Sequence, residues 1–172
     1  MPPCHAGARP SKSRIQPQVV GLFDDCVEHT PRDSVIAQVE SSQITIDYSR
    51  PARRGRVVWG DVVPTNIVWR LGADMATHFT TSADILVGDT RVPAGRYTLW
   101  MLRSGENAAL IVSSAVNVFG TGYNPARDFA RIPMQRTTIA PAVERLTLAV
   151  RNGTLRIEWA DVAWVVPLRV VR

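Results

Sequence analysis

From Ser34 onward, apolar and polar residues alternate with a period of two. Val35, Ala37 and Val39 alternate with Ile36, Gln38 and Glu40, and Ile44, Ile46 and Tyr48 alternate with Thr45 and Asp47. That period is the signature of half-buried strands, whose successive side chains point to opposite faces. Ser41-Ser42 reads as the turn between these two runs. Strand patterns resume at 77–81 and 85–87, then over 96–102 and 108–113. Both faces of the last two are apolar, which predicts a central position covered on both sides. Further strands are predicted at about 129–136, around Leu146, Leu148 and Val150, around Leu155, Ile157 and Trp159, and over 162–170.

Turn chemistry punctuates these runs. Gly88-Asp89 suits a two-residue hairpin with glycine first, and Asn152-Gly153 is the strongest hairpin signal in the chain. Val92-Pro-Ala-Gly95 and Ser104-Gly-Glu-Asn107 mark two more turns. Only 64–70, with a proline at its start, reads as a short helical turn. About ten short strands with almost no helix predict an all-β fold, an antiparallel β-sandwich or jelly-roll-like domain. Residues 1–33, rich in Pro, Ser, Arg and Gly and without a period, read as a flexible tail; 34–172 read as the single domain.

Composition narrows the function classes. The 172 residues are 45% hydrophobic, enough for one domain with a real core. No apolar run reaches the roughly 18–20 residues of a membrane span. The formal charge is +5, but Lys12 is the only lysine and the arginines are scattered. Scattered cations do not form the continuous basic face that a nucleic-acid binder needs, so none is expected as a partner. Cys4 and Cys26 both lie in the tail, as do His5 and His29. No spacing among them suits zinc, and neither a metal nor a cofactor is expected. The start 1–10 has no apolar core of a secretory signal, which reads as cytoplasmic or as a start other than the mature one.

The chemically rich stretch is 47–74, with Arg50, Arg53, Arg54, Arg56 and Arg70, together with Trp59 and Trp69. Guanidinium forks can receive carboxylate or phosphate. Alternatively, Arg50 and Arg70 pair with Asp47, Asp61 or Asp74 and pin the loop, while Arg53, Arg54 and Arg56 are solvated. The candidate ligand site is Arg50, Arg54, Trp69, Arg70 and Asp74, with Tyr97. Trp69 would form a wall, Arg70 an anion hook and Asp74 an acceptor.

For catalysis the inventory is thin. His78 stands alone on a strand, there is no Gly-x-Ser-x-Gly elbow, and no cysteine lies in the patterned region. The catalytic alternative is a hydrolase that pairs Asp74 with Asp47 or Asp128, with Arg70 stabilising charge. It requires an open cleft with two converging carboxyls, whereas a plain module predicts Arg70 and Asp74 bonded to each other. Gly120-Thr-Gly-Tyr-Asn-Pro lacks the third glycine of a dinucleotide fingerprint and reads as a loop.

Asp47-Tyr-Ser-Arg-Pro, Arg54-Gly-Arg, Val63-Pro, Val68-Trp-Arg-x-Gly-Ala, Ala76-Thr, Val92-Pro-Ala-Gly-x-Tyr-Thr-Leu and Gly122-Tyr occur in this order. Together they resemble the bacterial domain of unknown function 2911, over about 34–170. The resemblance implies a β-rich domain, usually periplasmic or secreted behind a signal peptide, with no settled activity. Some relatives carry the label asparagine synthetase, but this chain has neither a cysteine at position 2 nor an ATP-pyrophosphatase loop. This chain departs from the family pattern at Asp74 (usually Asn), Thr65 (usually aromatic) and Phe119 (usually Trp). Asp74 places an anion beside Arg70 and so favours an internal ion pair. The reading is a non-catalytic binding or structural module for a small anionic or polar ligand, or for a protein partner.

Overall fold

The computed structural model describes residues 30–171. The expected tail falls almost wholly outside the described residues, as do Cys4, Cys26, His5 and His29. The described chain forms β1 (Arg32–Val39), β2 (Ser42–Ser49), β3 (Val68–Trp69), β4 (Thr77–Thr81), β5 (Ile85–Val87) and β6 (Thr90–Val92). It continues with β7 (Gly95–Ser104), β8 (Asn107–Ser113), a 3₁₀ turn at Pro125–Arg127, β9 (Asp128–Arg151) and β10 (Thr154–Val170). The fold is all-β, as the alternation predicts.

Every pair of neighbouring strands is antiparallel, in one open sheet of order β1-β2-β4-β7-β8-β9-β10-β5-β6, with β3 beside β7. The path curls so that β2 and β3 face β9 and β10 across the core. The Tyr48 hydroxyl accepts the Leu148 N–H at 3.1 Å, and the Trp69 ring stacks on Trp159 at 5.9 Å. One apolar cluster draws on nearly every strand, with Ile44, Phe79, Leu99, Met101, Leu155 and Ile157 all 0–1% exposed. β7 and β8 are central and apolar on both faces, as expected.

Four local expectations need correcting. The first turn is Glu40-Ser41, one residue early, because Val39 pairs with Ser42 and Glu40 takes the left-handed conformation (φ 50°). The segment 64–70 holds no helix; Val68 and Trp69 pair with Leu102 and Met101 instead, since apolar partners on β7 outweigh a weak local preference. The strands expected at 129–136 and around 146–150 are parts of the single 24-residue β9. Those expected around 155–159 and over 162–170 merge into the 17-residue β10. Bulges around Ala160 let the ladder continue where alternation lapses. Asn152 and Gly153 do turn the β9–β10 hairpin, at φ 50° and 65°. Gly88-Asp89 likewise turns β5 into β6.

The arginine-bearing connection between β2 and β3 lies across the sheet and is tied at both ends. Its start joins β9 through Arg53 N–H to Glu144 O (2.9 Å) and Leu146 N–H to Pro51 O (3.0 Å). Its end joins β7 through Asn66 N–H to Arg103 O (2.7 Å). These bonds bring residues far apart in sequence onto two separate surfaces.

Candidate functional site

Directly opposed residues of an antiparallel pair project to the same face. On the side of the sheet away from the main core, Asp47, His78, Thr98, Ser113 and Asp128 therefore form one polar row across β2, β4, β7, β8 and β9. Beside it lies a small second cluster: Ala76, Trp100 and Ile111, with Val68, Leu102, Val118 and Tyr123 packed around them. The connection over 114–124 covers this cluster, and four bonds hold it down. Thr98 Oγ1 donates to Ala115 O (2.7 Å), and Asn117 N–H donates to His78 Nε2 (3.2 Å). Ala76 N–H donates to Val118 O (3.3 Å), and Gly120 N–H to Asp74 O (2.8 Å).

Arg70 sits under this cover. Trp69 turns into the core opposite Met101, so the next residue turns outward at the level of Trp100. A Cβ placed at Gly120 would lie 2.2 Å from Arg70 Cδ and 2.4 Å from the Asp74 carbonyl oxygen. Only glycine leaves room for the arginine stem. Asp74 itself is exposed, in a left-handed conformation (φ 58°). Arg70 is half-buried as a residue, and among the described residues its guanidinium donates to no acceptor and forms no ion pair, with Asp74 or any other carboxylate. The expected Arg70–Asp74 bond is therefore absent. The turn that sets Asp74 sends its carbonyl, rather than its carboxylate, to the glycine.

Much of the rest of this face is engaged, although Asp128 Oδ1 is buried without a partner among the described residues. Asp128 Oδ2 accepts from Tyr123 Oη (2.7 Å) and from Arg131 Nε and Nη2 (2.9 and 2.8 Å). Burial and that carboxylate hold the Tyr123 phenol above its usual range, while the Asp128 bond holds the Arg131 proton more firmly. Tyr123 also lies against Trp100, with ring centroids 5.1 Å apart. His78 is buried; burial, with Arg96 and Arg32 nearby, pushes its imidazole below the ordinary range against the opposing pull of Asp47. Its Nε2 accepts a backbone N–H, so the neutral ring carries its proton on Nδ1. Thr98 donates to Ala115 O while accepting from Trp100 Nε1 (3.0 Å). Neither group is free to act as base or nucleophile.

The other expected site residues lie elsewhere. Arg50 is a tie, bonded to Asp33 Oδ2 (3.0 Å), Leu146 O (3.2 Å) and Thr147 Oγ1 (3.0 Å). Its carboxylate partner is thus Asp33 on β1, rather than Asp47, Asp61 or Asp74. Arg54 lies at the far end of the connection, its N–H on Glu144 Oε1 (2.8 Å), and lines a 130 Å³ cleft with Arg56 and Arg145. Nor are Arg53 and Arg56 simply solvated. Arg53 approaches Glu144 at 3.5 Å, and Arg56 donates to Arg53 O and Ala52 O (3.0 and 2.8 Å). Trp69 is a core residue. Tyr97 points inward from β7, its hydroxyl on Pro93 O (3.0 Å). Of the expected site, the fold brings together Arg70 and Asp74 alone. Sequence reasoning names Asp128 only as a possible partner of Asp74 and assigns no role to Gly120, Tyr123 or Arg131; the loop signal at 120–125 marks a turn but not what it covers.

A family described as "Protein of unknown function (DUF2911)" matches residues 30–168. The chain belongs to this family. The DUF2911 match runs from before β1 to Leu168, within β10. No curated protein matches the chain, and no solved structure does. Among the described residues no group of three or more His, Cys, Asp or Glu side chains is arranged to hold a metal ion, and no helix is long and apolar enough to cross a membrane.

Proposed function

We propose that this DUF2911 domain is a non-catalytic binding module that holds a small anionic or polar ligand on its outer face, with Arg70 as the anion hook. The observation that carries this reading is the half-buried Arg70, its stem seated against Gly120 and its guanidinium bonded to no acceptor among the described residues. A planar fork of N–H groups that no protein acceptor occupies among the described residues suits a carboxylate or phosphate. Asp74, exposed beside the same glycine, adds an acceptor for a hydroxyl or ammonium on the ligand. The hydrolase alternative has less support, because Asp128 is committed to Tyr123 and Arg131. The family resemblance adds a bacterial periplasmic or secreted setting to this reading.

The test is a thermal-shift screen of wild type and Arg70→Ala against phosphate, small carboxylates, sugars and nucleotides. A ligand of the folded state raises the melting temperature by mass action, equivalent to about 2.7 kcal/mol at a hundredfold excess over Kd. A ligand class that stabilises wild type but not folded Arg70→Ala supports the hook. Equal shifts in both proteins, or none in wild type, refute it.

A further inference from the structure

A second site, distinct from Arg70, lies where the β2–β3 connection leans over the bulge of β10. There a groove of about 460 Å³ opens between the connection and interior positions of β9 and β10. Arg53, Arg56 and Arg136 stand around it, and Trp59, Val57 and Val162 supply its apolar lining. Its volume falls within the range of small-ligand pockets, about 300–1,000 Å³. Asp161 is the one carboxylate lining it, so cationic groups outnumber anionic ones three to one.

Those cations are held by ties that an incoming anion could exchange. Arg53 meets Glu144 at 3.5 Å and Arg136 meets Glu106 at 3.2 Å, with the glutamates 58% and 80% exposed. Exposed pairs of this kind contribute little stability. Arg56 is positioned by two backbone carbonyls through Nε and Nη2, which leaves Nη1 without a protein acceptor among the described residues.

The apolar lining is fixed as well as accessible. Trp59 is held by Nε1–H to Trp159 O at 3.0 Å and packs edge-on against Trp164. Val57 is 61% exposed. At the groove's floor Ala160 adopts φ 53°, between two register shifts of the β9–β10 ladder. A left-handed alanine inside a strand is strained, and such strain tends to collect at binding sites. The bulge also allows Asp161 and Val162, adjacent in sequence, both to line the groove.

We infer that this groove binds a small organic anion, a carboxylate or phosphate monoester with an aromatic or aliphatic body. The anionic head would sit among Arg53, Arg56 and Arg136, and the body against Trp59, Val57 and Val162. Inorganic phosphate supplies the head without the body and is the natural control.

The test is titration of the full chain with phenyl phosphate, benzoate and inorganic phosphate, followed by calorimetry and tryptophan fluorescence. Phenyl phosphate should bind at least about tenfold more tightly than inorganic phosphate, because only it buries apolar surface. It should also change the tryptophan emission. Arg136→Ala and Val57→Asp, both at surface positions, should each weaken phenyl phosphate binding by about tenfold or more. The titrations are repeated in the Arg70→Ala background, where anions held by the Arg70 hook no longer contribute and the groove's phenyl phosphate binding should persist, which separates failure of this groove from failure of the hook. Equal affinity for the two phosphates, or indifference to both groove variants, would overturn the inference. So would the absence of binding by either organic anion.

Discussion

Arg50, just after β2, and Arg70, just after β3, come from one arginine-rich stretch of sequence, yet the fold employs them in opposite ways. Arg50 satisfies a β1 carboxylate, a β9 carbonyl and a β9 hydroxyl together, closing the crossing from β2 to β9. Arg70 is held by steric enclosure, its stem against Gly120, with its donors unused among the described residues. An arginine in a long loop is therefore not a site by virtue of its charge. What distinguishes the two is which acceptors the neighbouring strands bring within reach.

That contrast can be broken or sharpened by experiment. The largest effect is expected at Trp69, which the sequence also placed in the site. Trp69→Ala should cost about 3–5 kcal/mol in denaturant unfolding, because it leaves a cavity against Trp159. A loss below about 1 kcal/mol would mean that Trp69 is not core.

Gly120→Ala should cost about 1–3 kcal/mol, since its methyl must displace the Arg70 stem or the Asp74 carbonyl. It should also abolish any ligand shift that depends on Arg70. Normal stability with intact binding would disprove the close approach.

Arg50→Ala should cost about 2 kcal/mol. Two half-buried hydrogen bonds are lost at about 1 kcal/mol each, with little added by the exposed Asp33 pair. Arg70→Ala, by contrast, should stay within about 0.5 kcal/mol of wild type. If Arg70→Ala proves the more destabilising of the two, the comparison is reversed.

His78 offers a pH test of the cover over Arg70. Its folded-state affinity for protons is lowered, chiefly by burial and then by Arg96 and Arg32, so the unfolded chain binds more protons as pH falls through the ordinary histidine range. The resulting stability is present above about pH 6.5 and lost as the solution is acidified toward the lower folded value. Melting temperature should fall over that interval in wild type and fall less in His78→Asn. Parallel curves for the two proteins would remove His78 as the source.

Much of the fold was legible because alternation and turn chemistry are local. Ile44, Ile46 and Tyr48 point inward as their period requires, and Asn152-Gly153 turns the hairpin it signals. The length of β9 and β10 was not legible, because bulges and neighbouring ladders carry a strand through stretches where the pattern lapses. The candidate site was legible only in part. The motif Val68-Trp-Arg-x-Gly-Ala and the Asp74 that follows it point to Arg70 and Asp74, but also to Trp69, whose side chain alternation sends to the other face.

The sequence alone determined the strand class, the hairpins and the family, since these depend on neighbouring residues and on motifs in order. Tertiary structure decided the use of each charged side chain. Asp33 reaches Arg50, Gly120 admits Arg70, and β9 contributes Arg136 to a groove otherwise lined by the β2–β3 connection and the β10 bulge. Ion pairs and clefts depend on distances between segments tens of residues apart, and no local pattern encodes those distances.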